Sequence, residues 1–171
     1  GALASGEYEI ETNGKVNIYT EPSGKTVRVS RRYFGVHGSA VSYVKVENLH
    51  IRQASMHGIS FENSHNITVS NCVIEMCGGA FIYGTSIHAG NGIEFGNSCT
   101  DCTAENCTIR NIFDSGVTAQ TYSSNESASD IIFRNLDIEK CGFAGVELAV
   151  LAGSCNTGSS ISNVLTGNVR V

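Results

Sequence analysis

Three carboxylates have the side-chain type and the spacing for acid–base chemistry. Glu94 and Glu147 each stand two residues after the Gly of a Gly–apolar step, Gly92-Ile93 and Gly145-Val146. Asp114 stands two residues before another such step, Gly116-Val117. Carboxyl groups brought to one groove can divide the labour, one holding a proton as general acid and another acting as base or nucleophile. The offset that selects Glu94 and Glu147 also selects His37, Ser60 and Thr118, and two residues further on Ser39, Glu62, Gly96, Gln120 and Ala149. His57, immediately before Gly58, occupies nearly the same bend as Asp114. His37, His57, Glu62 and Gln120 are therefore candidate binding residues, with His88 a weaker one. Tyr83 and Tyr122 sit in two segments that interrupt the pattern, GGAFIYGTSIHAGN and AQTYSSNESAS, and offer aromatic plates. Asp before Ser-Gly is also a good turn former, so a purely structural role for Asp114 competes with the catalytic one.

These residues share an offset because the chain repeats. YVKVENLHI, NITVSNCVI, DCTAENCTI and DIIFRNLDI align around Asn48, Asn71, Asn106 and Asn135, and TGNVRV repeats the frame at Asn168; the Asn residues stand 23, 35, 29 and 33 apart. A repeat of short strands cannot bury its inner face alone and must stack on its neighbours. Period-2 alternation sends Val46, Leu49, Ile51, Ile59 and Phe61 inward in one coil and Val69, Cys72, Ile74, Ile93 and Phe95 in the next. The alternation slips by one at each Asn, as a bend requires, and stacked Asn side chains can hydrogen-bond from coil to coil. Function must then lie on an outward strand face or in the loops.

Composition agrees. The 171 residues hold 19 Gly, one Pro, no Trp and 41% hydrophobic residues, and charged residues make up only 16%. The net charge is 11 − 16 = −5. With no basic cluster beyond Arg31-Arg32, a nucleic-acid partner is not expected. No apolar run is long enough to span a bilayer, and the first residues lack a signal-peptide pattern. The seven cysteines are an odd number for a disulfide framework, and the lone Cys99-Thr-Asp-Cys102 lacks the further ligands that zinc needs. Cys72 and Cys107 share an inward frame position and are expected to stack as small core residues. Cys77 and Cys141 share another, two coils apart and too far for a bridge. No metal or cofactor is expected.

The frames VKVENLHI…HGISF and CTAENCTIRNIFDSGVTAQ resemble the right-handed parallel β-helix group that includes pectate-lyase-like proteins and β-helix glycoside hydrolases. The resemblance covers roughly residues 26–171. It implies an all-β solenoid, preceded over residues 1–25 by a hairpin block whose Thr12-Asn13-Gly14 is a strong turn signal. The chain stops inside the repeat frame at Val171, so a fragment of a longer solenoid is expected, with open ends able to associate end to end.

The resemblance further implies a secreted bacterial carbohydrate-active protein. The favoured activity is a glycoside hydrolase, with Asp114, Glu94 and Glu147 flanking the scissile bond of a carbohydrate substrate. Two coils put Glu94 and Glu147 about 9–10 Å apart, near the upper limit for an inverting pair. A non-catalytic structural, adhesin-like or carbohydrate-binding solenoid is the alternative, and a polysaccharide lyase a second. The sequence departs from the pectin-active members: it has no Asp-Asp pair, no Gly-His-Gly, no three-acid calcium cluster and no basic face. That departure favours neutral sugars over uronic acid polymers.

Overall fold

The computed structural model describes residues 8–10, 16–18, 24, 30, 32–82, 84–150 and 160–171. In chain order the strands open with β1 (Tyr8–Ile10), β2 (Val16–Ile18), β3 (Val36–Ser39), β4 (Ser42–Glu47), β5 (His50–Arg52) and β6 (Ile59–Glu62). They continue with β7 (His65–Ser70), β8 (Val73–Glu75), β9 (Ala80–Phe81), β10 (His88–Ala89), β11 (Ile93–Gly96) and β12 (Thr100–Glu105). The last are β13 (Thr108–Ile112), β14 (Val117–Thr121), β15 (Ser127–Cys141), β16 (Val146–Val150) and β17 (Ser160–Arg170). Among the described residues there is no helix long and apolar enough to cross a membrane.

β1 and β2 pair antiparallel with Glu9 opposite Asn17, the two-strand block that Asn13-Gly14 predicts. The rest is a parallel solenoid. One five-stranded sheet stacks β3, β6, β11, β14 and β16; a second carries β4, β7 and β12 on one run and β5, β8 and β13 on the other. β15 serves both runs because it passes through the Asn135 bend unbroken, and β17 pairs along it. Each coil therefore has three faces, and the bend between the second and third falls at the repeated Asn.

That bend explains the residue. Asn48, Asn71, Asn106, Asn135 and Asn168 all have φ between +50° and +58°, the left-handed region that Asn tolerates better than most L-residues. Their side chains add a ladder over part of the stack: Asn168 Nδ2 donates to Asn135 Oδ1 and Asn135 Nδ2 to Asn106 Oδ1, both at 3.1 Å. Tight packing explains the repeated Gly. A Cβ on Gly58 would stand 2.6 Å from the Gly92 carbonyl oxygen, one on Gly92 2.4 Å from Gly116, and one on Gly116 2.7 Å from Gly145. At each, an isoleucine methyl presses from inside at 2.4–2.6 Å.

The core is the predicted inward set. Ile59, Phe61, Val69, Cys72, Ile74, Ile93 and Phe95 are buried, and the Phe95 and Phe133 rings stack 6.1 Å apart at 9°. Each fully buried residue of this size contributes about 1.5–3 kcal/mol of transfer free energy. Leu49 is a correction: it is 43% exposed, while its frame partners Cys72, Cys107 and Leu136 are buried. It lies on the first described coil, and only its second-coil side is covered by the stack. The six described cysteines are free; Cys155 lies outside the described residues. Cys77 and Cys141 flank Gly58 and Gly116 at equivalent corners two coils apart, as their offsets predict.

Gly92→Ala is expected to cost about 1–3 kcal/mol through overpacking. Gly167→Ala, with nothing within 4 Å of the new methyl, should stay within about 0.5 kcal/mol of wild type. Paired urea melts check this.

Candidate active site

Parallel register turns shared offsets into columns. His37, Ser60, Glu94, Thr118 and Glu147 are successive partners across the first sheet, and Ser39, Glu62, Gly96, Gln120 and Ala149 form the neighbouring column. The middle of this outward face is not solvated. Ser60, Glu94 and Thr118 are buried, Glu94 being 1% exposed. Corner residues on one side and Tyr122 on the other close over it.

Burying a carboxylate requires donors, and Glu94 has them. Asn91 Nδ2 donates to Oε2 at 2.8 Å and Ser60 Oγ to Oε1 at 3.3 Å. Tyr122 lies over this side of the face, and burial, with the Glu94 charge next, raises the pKa of its hydroxyl. Tyr122 reaches in because position 96 is glycine: a Cβ there would be 3.1 Å from its ring and 3.4–3.5 Å from Glu62 and Glu94. Glu94 is thus held on several sides, the pattern of a fixed anchor.

Glu147 is half-buried and differently served. Ser115 Oγ and Gln120 Nε2 both donate to Oε2, at 2.7 and 2.8 Å, and among the described residues Oε1 accepts no hydrogen bond. Two donors on one oxygen hold the carboxylate in a fixed orientation. Asp114, on the corner one coil before, is half-buried and its carboxyl has no hydrogen-bond partner among the described residues. Burial raises its pKa above the ordinary 3.8, and the charges of Glu147 and Glu94 add to the rise. One carboxyl with a raised pKa beside one fixed by two donors is an unequal pair of the kind that can divide acid from base work. Thr118, in register between Glu94 and Glu147, has a buried hydroxyl without a partner among the described residues, a group that costs about 1–3 kcal/mol if left unmet.

His57 is buried at the corner. The Asn91 backbone N–H donates to its Nδ1 at 3.0 Å, which places the ring proton on Nε2. Glu94 Oε2 is 3.4 Å from the same nitrogen. Burial lowers the His57 pKa and outweighs the acids around it, so the ring is neutral near pH 7. The ladder continues from Asn91 Oδ1, which accepts from the Ser115 N–H at 3.0 Å.

The structure brings Asp114, Glu94, Glu147, Glu62, Gln120, His57 and Tyr122 to one place. His37 lies at the edge of the column, exposed and stacked on Phe34 at 4.4 Å. Tyr83 lies outside the described residues. Sequence reading missed Asn91 and Ser115, which tie the acids together; the signal was their position immediately before Gly92 and Gly116, the offset of His57 before Gly58. No group of three or more His, Cys, Asp or Glu among the described residues is arranged to hold a metal ion. A second charged cluster, Glu75 with Arg52, Arg110 and His50 at 2.7–2.9 Å, pairs its charges internally on the other sheet.

Fold and site together define a class: a parallel β-solenoid with a carboxylate-lined outer face. The family model described as the right handed beta helix region matches residues 4–126, and the chain belongs to that family. No curated protein and no solved structure matches the sequence.

Two consequences concern stability. The folded state keeps Asp114 protonated to a higher pH than the unfolded chain does, so stability falls as pH rises from 3.8 through the raised value and stays lowered above it. Asp114→Asn should therefore raise the melting temperature at pH 7, by on the order of 1–2 °C for a half-exposed group, and not at pH 3. For His57 the sign is opposite to that of a salt-bridged histidine. Its folded pKa lies below 6.5, so stability is lost as pH falls from 6.5 toward that value. His57→Gln should flatten that limb of a pH series of thermal melts.

Proposed function

We propose that this protein is a glycoside hydrolase of the β-helix type acting on a neutral oligo- or polysaccharide. The observation that carries the reading is the pairing of Asp114, an unpartnered carboxyl with a raised pKa, with Glu147, whose carboxylate is fixed by Ser115 and Gln120. Asp114 donates its proton to the leaving glycosidic oxygen. Glu147 acts on the other side as base or nucleophile, the division that glycosidic cleavage requires. Glu94 orients the floor through Asn91 and Ser60. His57, buried and neutral, holds the corner in place by accepting from the Asn91 backbone N–H.

Four carboxylates, Glu62, Glu94, Asp114 and Glu147, converge, and among the described residues none of them pairs with a Lys or Arg. Such a face repels uronates and suits hydroxyl donors. The same reading has the protein working outside the cell, where polymeric glycans are met.

A structural, self-assembling solenoid is the second reading. It is favoured by the exposed Leu148, Leu165 and Val171 on the last described coil. Reducing-sugar release on a panel of neutral and acidic polysaccharides separates the two. The hydrolase reading predicts turnover on a neutral polymer. It also predicts a loss of roughly 10²–10⁴-fold in kcat for Asp114→Asn and for Glu147→Gln. Turnover should fall on the alkaline side as Asp114 deprotonates. Activity unchanged by both substitutions would sink the site. Inactivity on every polymer with concentration-dependent sedimentation would favour assembly.

A further inference from the structure

Beside the acid cluster, the corner that precedes the first sheet carries a row of exposed aromatic side chains that the acid–base reading does not use. Tyr33 is 42% exposed, Phe81 48%, Phe113 49% and Phe143 71%. They adjoin one another. The Tyr33 hydroxyl donates to the Phe81 carbonyl at 2.8 Å. Phe81 packs on the His88 ring at 3.9 Å between centroids, and His88 lies 5.8 Å from Phe113. The Phe143 N–H bonds to the Asp114 carbonyl at 3.1 Å, one coil on.

The row is built into the backbone. Gly78 and Gly79, at φ +104° and +97°, pass directly over Phe113; a Cβ on Gly78 would stand 2.5 Å from the Phe113 Cβ. A side chain at either position would be strained by its φ, and at Gly78 it would also collide with Phe113. The hairpin of β9 and β10 sets Phe81 opposite His88.

Exposed apolar surface of this extent marks an interaction site rather than chance exposure. Its occupant follows from its continuity with the acids: Phe113 immediately precedes Asp114, and Phe143 follows it one coil away. The row spans the corners of five coils, four steps of about 4.8 Å and so about 19 Å in all, the length of a short oligosaccharide. Aromatic faces suit the C–H face of a pyranose, and the flanking carboxylates suit its hydroxyls.

We infer that Tyr33, Phe81, Phe113 and Phe143 form a platform that holds a neutral glycan chain along the solenoid axis and feeds it past Asp114. This rests on the carbohydrate reading above but makes no use of turnover, so binding and hydrolysis can fail separately.

The test is affinity gel electrophoresis of the full chain in xyloglucan, arabinoxylan, galactomannan and mixed-linkage β-glucan, with polygalacturonate as the acidic control. Wild type should be retarded by at least one neutral polymer and not by polygalacturonate. The Phe113→Ala/Phe143→Ala double variant should bind that polymer at least about 10-fold more weakly. Phe113→Tyr/Phe143→Tyr, which keeps both rings, should retain binding and so separates a lost platform from a damaged fold. Retardation by none of the neutral polymers overturns the proposal, as does retardation of the alanine variant equal to wild type. So does wild-type self-association, seen by sedimentation, that the alanine variant abolishes, since the row would then be a contact between copies. Binding without hydrolysis would leave the platform standing and remove the hydrolase.

Discussion

Everything in this molecule depends on how closely one coil can approach the next. Where the glycine column passes, each backbone lies so near the carbonyl oxygen of the following coil that a methyl group would overlap it at 2.4–2.7 Å. That contact fixes the vertical register of the first sheet. The left-handed Asn bends fix the other two runs, since each turns the chain by the same backbone conformation at the same place. With two landmarks per coil held in line, strand pairing follows residue for residue, and the inward side chains form a dry column of stacked isoleucines and phenylalanines.

The same registration assembles the acids. Glu94 and Glu147 are 53 residues apart in sequence (147 − 94), yet two strands apart on one face. Concentrating carboxylates on a closed surface opposes folding, and the molecule answers it unevenly. Glu94 receives donors from Asn91 and Ser60. Glu147 receives two on a single oxygen. Asp114 receives none from the described residues, and it carries the conflict as a raised affinity for its proton. That inequality gives the face its chemical polarity. It also makes the functional claim one about particular oxygens rather than about the fold, which hosts many activities.

Much of this was legible because a solenoid converts linear spacing into geometry. The Asn frame, the glycine offset and the period-2 alternation suffice to put Glu94, Thr118 and Glu147 in one column without knowledge of any loop. What could not be read was how the loops return. Nothing in the strand pattern says that Tyr122 folds back over Gly96, or that Glu94 is buried, so the dryness of this outward column could not be read from it. Leu49 failed for a related reason: periodicity gives a side chain its direction, and only a neighbouring coil gives it cover. Asn91 and Ser115 were readable from their offset but look like ordinary turn formers. The aromatic row is invisible to the frame, because Phe81 reaches it from an insertion and Phe113 and Phe143 stand at different offsets from their glycines.

The most direct test of this account is the titration of Asp114 followed by carboxyl-carbon NMR, in the wild type and in Glu147→Gln. Stacked columns put the two carboxylates within electrostatic reach across a coil boundary. Asp114 should therefore titrate clearly above 3.8, and removing the Glu147 charge should lower it, with burial keeping part of the rise. An Asp114 that titrates at or below the ordinary value, indifferent to residue 147, would mean that the coils do not bring these groups together.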